Sequence, residues 1–224
     1  IQMLEKILIT GITGQDGLFL TKSLLSKSSN YHVYGTSRNI KNSFFERLKY
    51  LKPDLIDNLS LIEIDLHHSQ SVSELITEIK PTKLINLSGP SSVYKSYESP
   101  NETINSINII FDNLVDSFFK VNIGGVFFQA LSSEIFELNS NKIDEKSSIN
   151  PRSPYAIGKS QIYEKSLELR EKEDVNICNG FLFNHESEFR DDEYLIMKVI
   201  NSAINISNKK QQHLKIGSLG LVRD

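Results

Sequence analysis

The sequence predicts an α/β fold built on a doubly wound parallel sheet. Two observations point there: short β-branched runs alternate with longer segments of helical periodicity, and three glycines spaced three apart follow directly on the first run. With 224 residues the chain is long enough for one such domain plus a small lobe, and too short for a second full domain. The expected division is a Rossmann-like dinucleotide-binding domain over residues 1–180 and a partial substrate-binding lobe over 181–224, interleaved with the sheet.

The strands are predicted at residues 6–10 (KILIT), 31–36 (YHVYGT), 61–65 (LIEID), 83–87 (KLINL), 126–130 (VFFQA) and 175–183. Each is mostly apolar on both faces, as strands covered by helices on either side must be. Helical patterns fall between them near residues 18–26, 71–79, 102–119, 155–171 and 193–206. In such sheets ligands bind beyond the carboxyl ends of the strands, so strand-end residues become the functional candidates.

Composition narrows the function classes. Against 28 acidic residues stand 25 Lys and Arg, a formal charge of -3, which argues against a nucleic-acid surface. The single cysteine, Cys178, lies in an apolar-leaning stretch and is expected to be a buried structural thiol in a reducing, cytoplasmic setting. No apolar run approaches the roughly 20 residues that span a bilayer, and the first residues carry no signal-peptide core, so a soluble chain is expected. His67 and His68 are adjacent, while His32, His185 and His213 are scattered, so no metal site is expected.

The first strand runs into Thr10-Gly11-Ile12-Thr13-Gly14-Gln15-Asp16-Gly17. Glycines at this spacing allow a tight turn, bring backbone N–H groups against a pyrophosphate and seat the next helix close to the sheet. After the second strand comes Thr36-Ser37-Arg38. A guanidinium where NAD enzymes place a carboxylate suits a 2′-phosphate and favours NADP; an exposed loop arginine is the plainer alternative. Asp65, at the end of the third predicted strand, is placed to accept from the adenine amino group.

Tyr155 and Lys159 form a Y-x-x-x-K pair whose spacing puts both on one helix face. An ammonium beside a phenol lowers the phenol's pKa and fits it as a base near neutral pH. Tyr194 and Lys198 repeat the spacing, but only Tyr155 follows a strand-end serine pair and carboxylate, Ser132-Ser133-Glu134. Hydroxyl, phenol and lysine suffice for hydride transfer. Adding Glu134 permits proton abstraction from carbon, and with it elimination; the plain alternative is a solvated loop acid. A further strand end is polar, Phe183-Asn184-His185-Glu186-Ser187, with Arg190 just beyond.

These residues resemble an extended short-chain dehydrogenase/reductase, and within that group they are most similar to the GDP-mannose 4,6-dehydratase family. The stretches carrying the likeness are GITGQDG (11–17), SSE (132–134), NPRSPYAIGK (150–159) and LFNHES (182–187), with VRD (222–224) at its far end. The resemblance implies a lyase that regenerates NADP in each turnover. Tyr155 takes the C4 hydroxyl proton as hydride leaves C4, Glu134 removes the proton from C5, water departs from C6, and the hydride returns there. Ser132, standing where the family has threonine, would hydrogen-bond the sugar. The cofactor set so implied comprises Gly11, Ile12, Thr13, Gly14, Gln15, Asp16, Gly17, Arg38, Asp65, Leu66, Leu87, Ser88, Lys159, His185 and Arg190; Ser91 and Asn184 would face the GDP-sugar.

The chain departs from the family at Ser88-Gly89-Pro90-Ser91-Ser92-Val93, at Glu137 and at Glu188-Phe189, and family members continue beyond Asp224. Residues 38–50, mixing Arg38, Lys41, Arg47 and Lys49 with Phe44 and Phe45, resemble the loop through which relatives assemble, which implies a homodimer or homotetramer. The other readings are an epimerase or reductase of the same superfamily, and a non-catalytic nucleotide-binding or interaction module.

Overall fold

Strand β1 (Glu5–Thr10) lies at the middle of a parallel sheet, with β2 (Tyr31–Ser37) and then β3 (Leu59–Glu63) on one side. On the other side follow β4 (Lys83–Asn86), β5 (Val126–Ser132) and β6 (Asn176–Leu182), giving the order β3-β2-β1-β4-β5-β6. The computed structural model describes residues 4–27, 30–51, 57–137, 142–192 and 194–217. The chain divides into two compact units, Ile1–Leu182 and Phe183–Asp224, and the whole sheet belongs to the first.

Helices connect the strands: α1 (Gln15–Lys27), α2 (Asn42–Leu51), α3 (Ser69–Ile79), α4 (Val93–Ser96), α5 (Pro100–Val121) and α6 (Pro154–Glu173). The second unit holds α7 (Leu195–Ser207). Strand alternation sorts the core. Leu8, Leu84, Phe127 and Ile177 join one cluster with Val72 and Ile76 of α3, Phe111, Leu114 and Phe118 of α5 and Ile162 of α6. Phe111 and Phe118 meet Phe127 edge-on at centroid distances of 6.0 Å each, an arrangement that adds to simple burial. The alternate residues Ile7, Ile9 and Val33 are buried outside that cluster, as are Leu18 and Leu25 of α1.

The strand order places the change of direction between β1 and β4, where doubly wound sheets open a crevice for ligands at the carboxyl ends. The glycine turn lies at that edge. Gly11 adopts φ +70°, and a Cβ there would stand 2.8 Å from the Leu87 carbonyl oxygen; one on Gly17 would stand 2.6 Å from the Ile12 Cα. Neither position can hold a side chain without moving backbone. Gly17→Ala is therefore expected to destabilise the fold by ~1–3 kcal/mol, read as a lowered urea midpoint.

Several expectations shift. Helix α1 begins at Gln15, ahead of the predicted residue 18, because Gly14 and Gly17 carry the turn directly into the helix. Strand β3 ends at Glu63, so Asp65 sits in the following turn. The segment 38–50 is not a plain loop: α2 occupies most of it. Cys178 is exposed, in contrast to the buried thiol expected. Alternation on β6, an edge strand, turns Ile177 into the core and Cys178 to the opposite face. Residues 222–224 lie outside the described residues. Among the described residues no helix is long and apolar enough to cross a membrane.

Candidate active site

Strand β5 delivers Ser132 at its last position and then winds into a short 3-10 turn, Ser133–Ile135, that carries Glu134. The Ser132 hydroxyl accepts from the Glu134 backbone N–H at 3.3 Å, so this serine caps the turn that bears the carboxylate. The chain then returns to α6 under tight control. Asn150 N–H donates to the Ile135 carbonyl at 2.9 Å, Glu137 N–H to that of Ser148 at 2.8 Å, and Phe136 pairs with Ile149 in an antiparallel bridge. Ser153 then caps α6 by accepting from Ala156 N–H at 3.1 Å, and Pro154 occupies the first turn, where its missing donor is harmless.

Tyr155 and Lys159 sit on the buried side of α6's first turns, both less than a tenth exposed. The Lys159 Nζ donates to the Ala130 carbonyl at 2.9 Å and lies 5.8 Å from the centre of the Tyr155 ring. Burial lowers the pKa of this amine from 10.5 to about 8. The sequence-predicted serine, carboxylate, phenol and amine are thus carried by one β5–turn–α6 assembly, held by backbone hydrogen bonds at both ends. Sequence reasoning missed the Ala130 carbonyl as the acceptor for Lys159, since a backbone oxygen leaves no residue-type signature. It also missed Tyr97, whose hydroxyl donates to the Arg152 carbonyl at 3.1 Å and ties α4's end to the segment entering α6.

The phosphate turn stands at the end of β1. Ile12 N–H donates to the Thr36 carbonyl at 3.1 Å, Gly14 N–H to that of Gly11 at 3.1 Å, and the Thr13 hydroxyl meets that of Ser37 at 3.0 Å. Gly11 and Gly17 are needed by the chain itself. At Gly14 an added Cβ would approach only the Gly11 carbonyl, at 3.4 Å, leaving a bare backbone surface that fits a phosphate. Gln15 and Asp16 open α1 behind it. Arg38 is exposed just past β2, next to the Ser37 that is tied to the turn.

Around the remaining first-unit candidates the structure is equally specific. The Asp65 carboxylate accepts from both the backbone N–H and the Nδ1 of His67, at 3.1 and 2.6 Å, and the imidazole's Nε2 meets the Ser106 hydroxyl at 2.8 Å. The bond from His67 is the main cause holding Asp65 below the usual carboxylate range. Leu66 is buried and its carbonyl takes Asn113 Nδ2 at 2.9 Å. Leu87 and Ser88 follow β4 directly, Ser88 bonding back to Asn86, while Ser91 is exposed one residue ahead of the α4 cap Ser92. Gly89 has φ +111°, a backbone conformation that side chains resist, so this departure from the family loop has its own built geometry.

In the second unit, His185 Nδ1 donates to the Phe183 carbonyl at 2.6 Å, which fixes the proton on that nitrogen. Asn184 beside it is exposed. The Arg190 guanidinium stacks 3.6 Å above the centre of the Tyr194 ring, with Glu186 at 3.8 Å from its Nε. Tyr194 in turn occupies the N-cap position of α7, where its carbonyl accepts from Lys198 N–H at 2.8 Å, so its spacing to Lys198 belongs to the helix start. Among the described residues no group of three His, Cys, Asp or Glu is arranged to hold a metal.

Residues 8–224 match the family described as GDP-mannose 4,6 dehydratase. This chain belongs to that family. It is 33% identical over 228 residues to GDP-mannose 4,6-dehydratase of Vibrio cholerae, covering 99% of this chain and 61% of the relative. With GDP-mannose 4,6 dehydratase 1 of Arabidopsis thaliana it shares 33% over 225 residues, covering 97% and 62%. The chain thus spans about three-fifths of the length of these GDP-mannose 4,6-dehydratase relatives. Two solved structures share its fold. DesIV, a dTDP-glucose 4,6-dehydratase from Streptomyces venezuelae with NAD and TYD bound, superposes with TM-score 0.79 at 15% identity, over 89% of this chain and 62% of its own. UDP-glucose 4-epimerase of Thermus thermophilus in complex with NAD gives 0.76 at 17%, over 91% and 63%.

Proposed function

We propose that the chain is the cofactor-binding and catalytic part of an NADP-dependent nucleotide-sugar 4,6-dehydratase acting on GDP-mannose or a related GDP-sugar. The observation that carries this reading is the clasp between residues 135–137 and 148–150, which ties the turn bearing the carboxylate to the segment entering the helix that bears the phenol and the buried amine. A reductase needs no such carboxylate. The family membership and the dehydratases and epimerases of the same fold support it further.

The phosphate turn 11–17, with Leu87 and Ser88 against Gly11, fits a nicotinamide dinucleotide, and the family likeness adds Leu66 to it. Arg38 supports a 2′-phosphate, and the family likeness adds His185 and Arg190 to the cofactor and Asn184 and Ser91 to the GDP-sugar. The chemistry such a dinucleotide would supply when bound is reversible hydride acceptance, from sugar C4 and back to C6. The protein's own groups move the protons. Tyr155 Oη, as phenolate, takes the C4 hydroxyl proton, and the Lys159 ammonium stabilises that phenolate. The new C4 ketone acidifies C5. Glu134 then removes the C5 proton and delivers it to the departing C6 hydroxyl, which leaves as water. C5 takes a proton from solvent in its place once hydride is back on C6, and the Ser132 hydroxyl holds the reacting sugar.

The test is to incubate the chain with GDP-mannose and either NADP or NAD and to follow the sugar nucleotide by mass spectrometry. Loss of one water with NADP, absent in Tyr155→Phe, is the expected result. A product keeping all its oxygens would point to an epimerase or reductase, and cofactor binding without turnover to a binding module.

A further inference from the structure

Parallel register puts one polar side chain per strand at the same level across the sheet: Thr36, Thr10, Asn86, Gln129 and Asn179. Two residues earlier the row is Tyr34, Leu8, Leu84, Phe127 and Ile177, all part of the apolar core or packed on it. A polar layer therefore crosses the interior directly above an apolar one. Its central members are fully inside: Thr10 and Gln129 are 0% exposed and Asn86 is 2%. Burying uncharged amides at such positions is unfavourable unless each is bonded, and these are.

The bonds run in a single direction. Asn86 Oδ1 accepts from the Thr10 hydroxyl at 2.7 Å, the Ser88 hydroxyl at 2.7 Å and the Ser88 backbone N–H at 3.1 Å. Asn86 Nδ2 donates to Gln129 Oε1 at 2.8 Å, and Gln129 Nε2 donates to the Ala130 carbonyl at 2.8 Å. Backbone groups pin both ends of this chain. The Ser88 N–H can only donate and the Ala130 carbonyl can only accept, so both amides have one possible direction. The β4–β5 ladder stops at the Asn86–Gln129 pair, and the next carbonyl of β5, that of Ala130, takes two side-chain donors: Gln129 Nε2 and Lys159 Nζ.

We propose that Asn86 and Gln129 are positioning residues for Lys159, forming a buried line of amide dipoles that starts at the strand end bearing the phosphate turn and ends on the carbonyl that holds the amine. The inference rests on the reading of Lys159 as the amine beside the reacting phenol. Each dipole points its N–H end toward Ala130, so the line shares the acceptor with the ammonium and opposes its positive charge. One Lys159 proton is committed to Ala130, which leaves two donors for other partners. Among the described residues, the ionisable group shown against the amine is Tyr155 on its own helix, and the nearest acid in sequence beyond β5 is Glu134 in its 3-10 turn. The side chains at the same level on β4 and β6, Asn86 and Asn179, are uncharged.

The test reads the amine directly and requires no turnover. In the chain carrying 13C-labelled lysine, the Lys159 Cε resonance, assigned by its loss in Lys159→Met, is titrated in wild type, Gln129→Met and Thr10→Val. Gln129→Met removes the last dipole at similar volume, and the Lys159 midpoint is expected to rise by about 0.5 pH unit or more. Thr10→Val, which keeps shape and strand preference at the far end, is expected to move it less in the same direction. A folded Gln129→Met with an unchanged or lowered midpoint overturns the proposal. Should that variant fail to fold, an unmoved midpoint in Thr10→Val does so instead. A wild-type chain that removes no water from GDP-mannose would sink the dehydratase reading and leave this titration intact, so the two failures are distinguishable.

Discussion

Lys159→Met is expected to be more stable than the wild-type chain at pH 7 and to lose its chemistry. The amine is buried, and burial holds its folded pKa at about 8 against 10.5 when unfolded. The sign follows directly. Between those values the unfolded chain binds the extra proton, so wild-type stability rises as pH increases from about 8 to 10.5, and below about 8 the whole penalty is present. That penalty is about 3 kcal/mol for a shift of this size. Methionine fills the stem's volume without a charge, and the Ala130 carbonyl keeps its Gln129 donor, so no orphaned acceptor is created. Urea unfolding at pH 7 should show the variant gaining ~1–3 kcal/mol, with the gap to wild type closing as pH approaches 10. Water loss from the GDP-sugar should fall by ~10²-fold or more in the same variant. A variant less stable than wild type at pH 7 would mean that the ammonium is compensated in the folded chain.

Glu134→Gln is expected to separate elimination from the alcohol chemistry. The carboxylate is half-buried in a turn held by backbone bonds, so the amide should fit with a stability change within ~0.5 kcal/mol. Rates of water loss should fall by ~10²–10⁴-fold, because a neutral amide cannot take the C5 proton. In D2O the wild-type product is expected to carry deuterium at C5, since the proton passed to the departing water is replaced from solvent. The variant, with Tyr155 intact, should show neither water loss nor this exchange, as read by mass spectrometry. Retained water loss in Glu134→Gln would remove the carboxylate from the mechanism.

What was legible in the sequence follows the physics that each signal reports. Strand positions were readable because buried parallel strands are short apolar runs, and five of the six begin within a residue of where those runs start. Strand β3 was displaced by two residues because its pairing with β2 begins at Leu59 and Ser60, ahead of the apolar run, and ends at Glu63. Helix α2 went unread since its sequence mixes basic residues and aromatics, although Ser43 and Glu46 carry capping-box spacing. Of the site, the side chains with distinctive chemistry, Ser132, Glu134, Tyr155 and Lys159, were legible as a set. The carbonyl that holds Lys159 and the amides behind it were not, because Asn86 and Gln129 in apolar runs look like interruptions until register aligns them.

The clasp between residues 135–137 and 148–150 has a consequence for how such a chain tolerates change. It closes the stretch between Phe136 and Ile149 into a loop whose two ends are fastened to each other. Lengthening a loop whose ends are already joined adds little closure entropy and leaves the geometry outside it alone. Evolution can therefore graft or trim sequence between those ends, reshaping what surrounds the pocket, while the acid on one side and the phenol on the other keep their spacing.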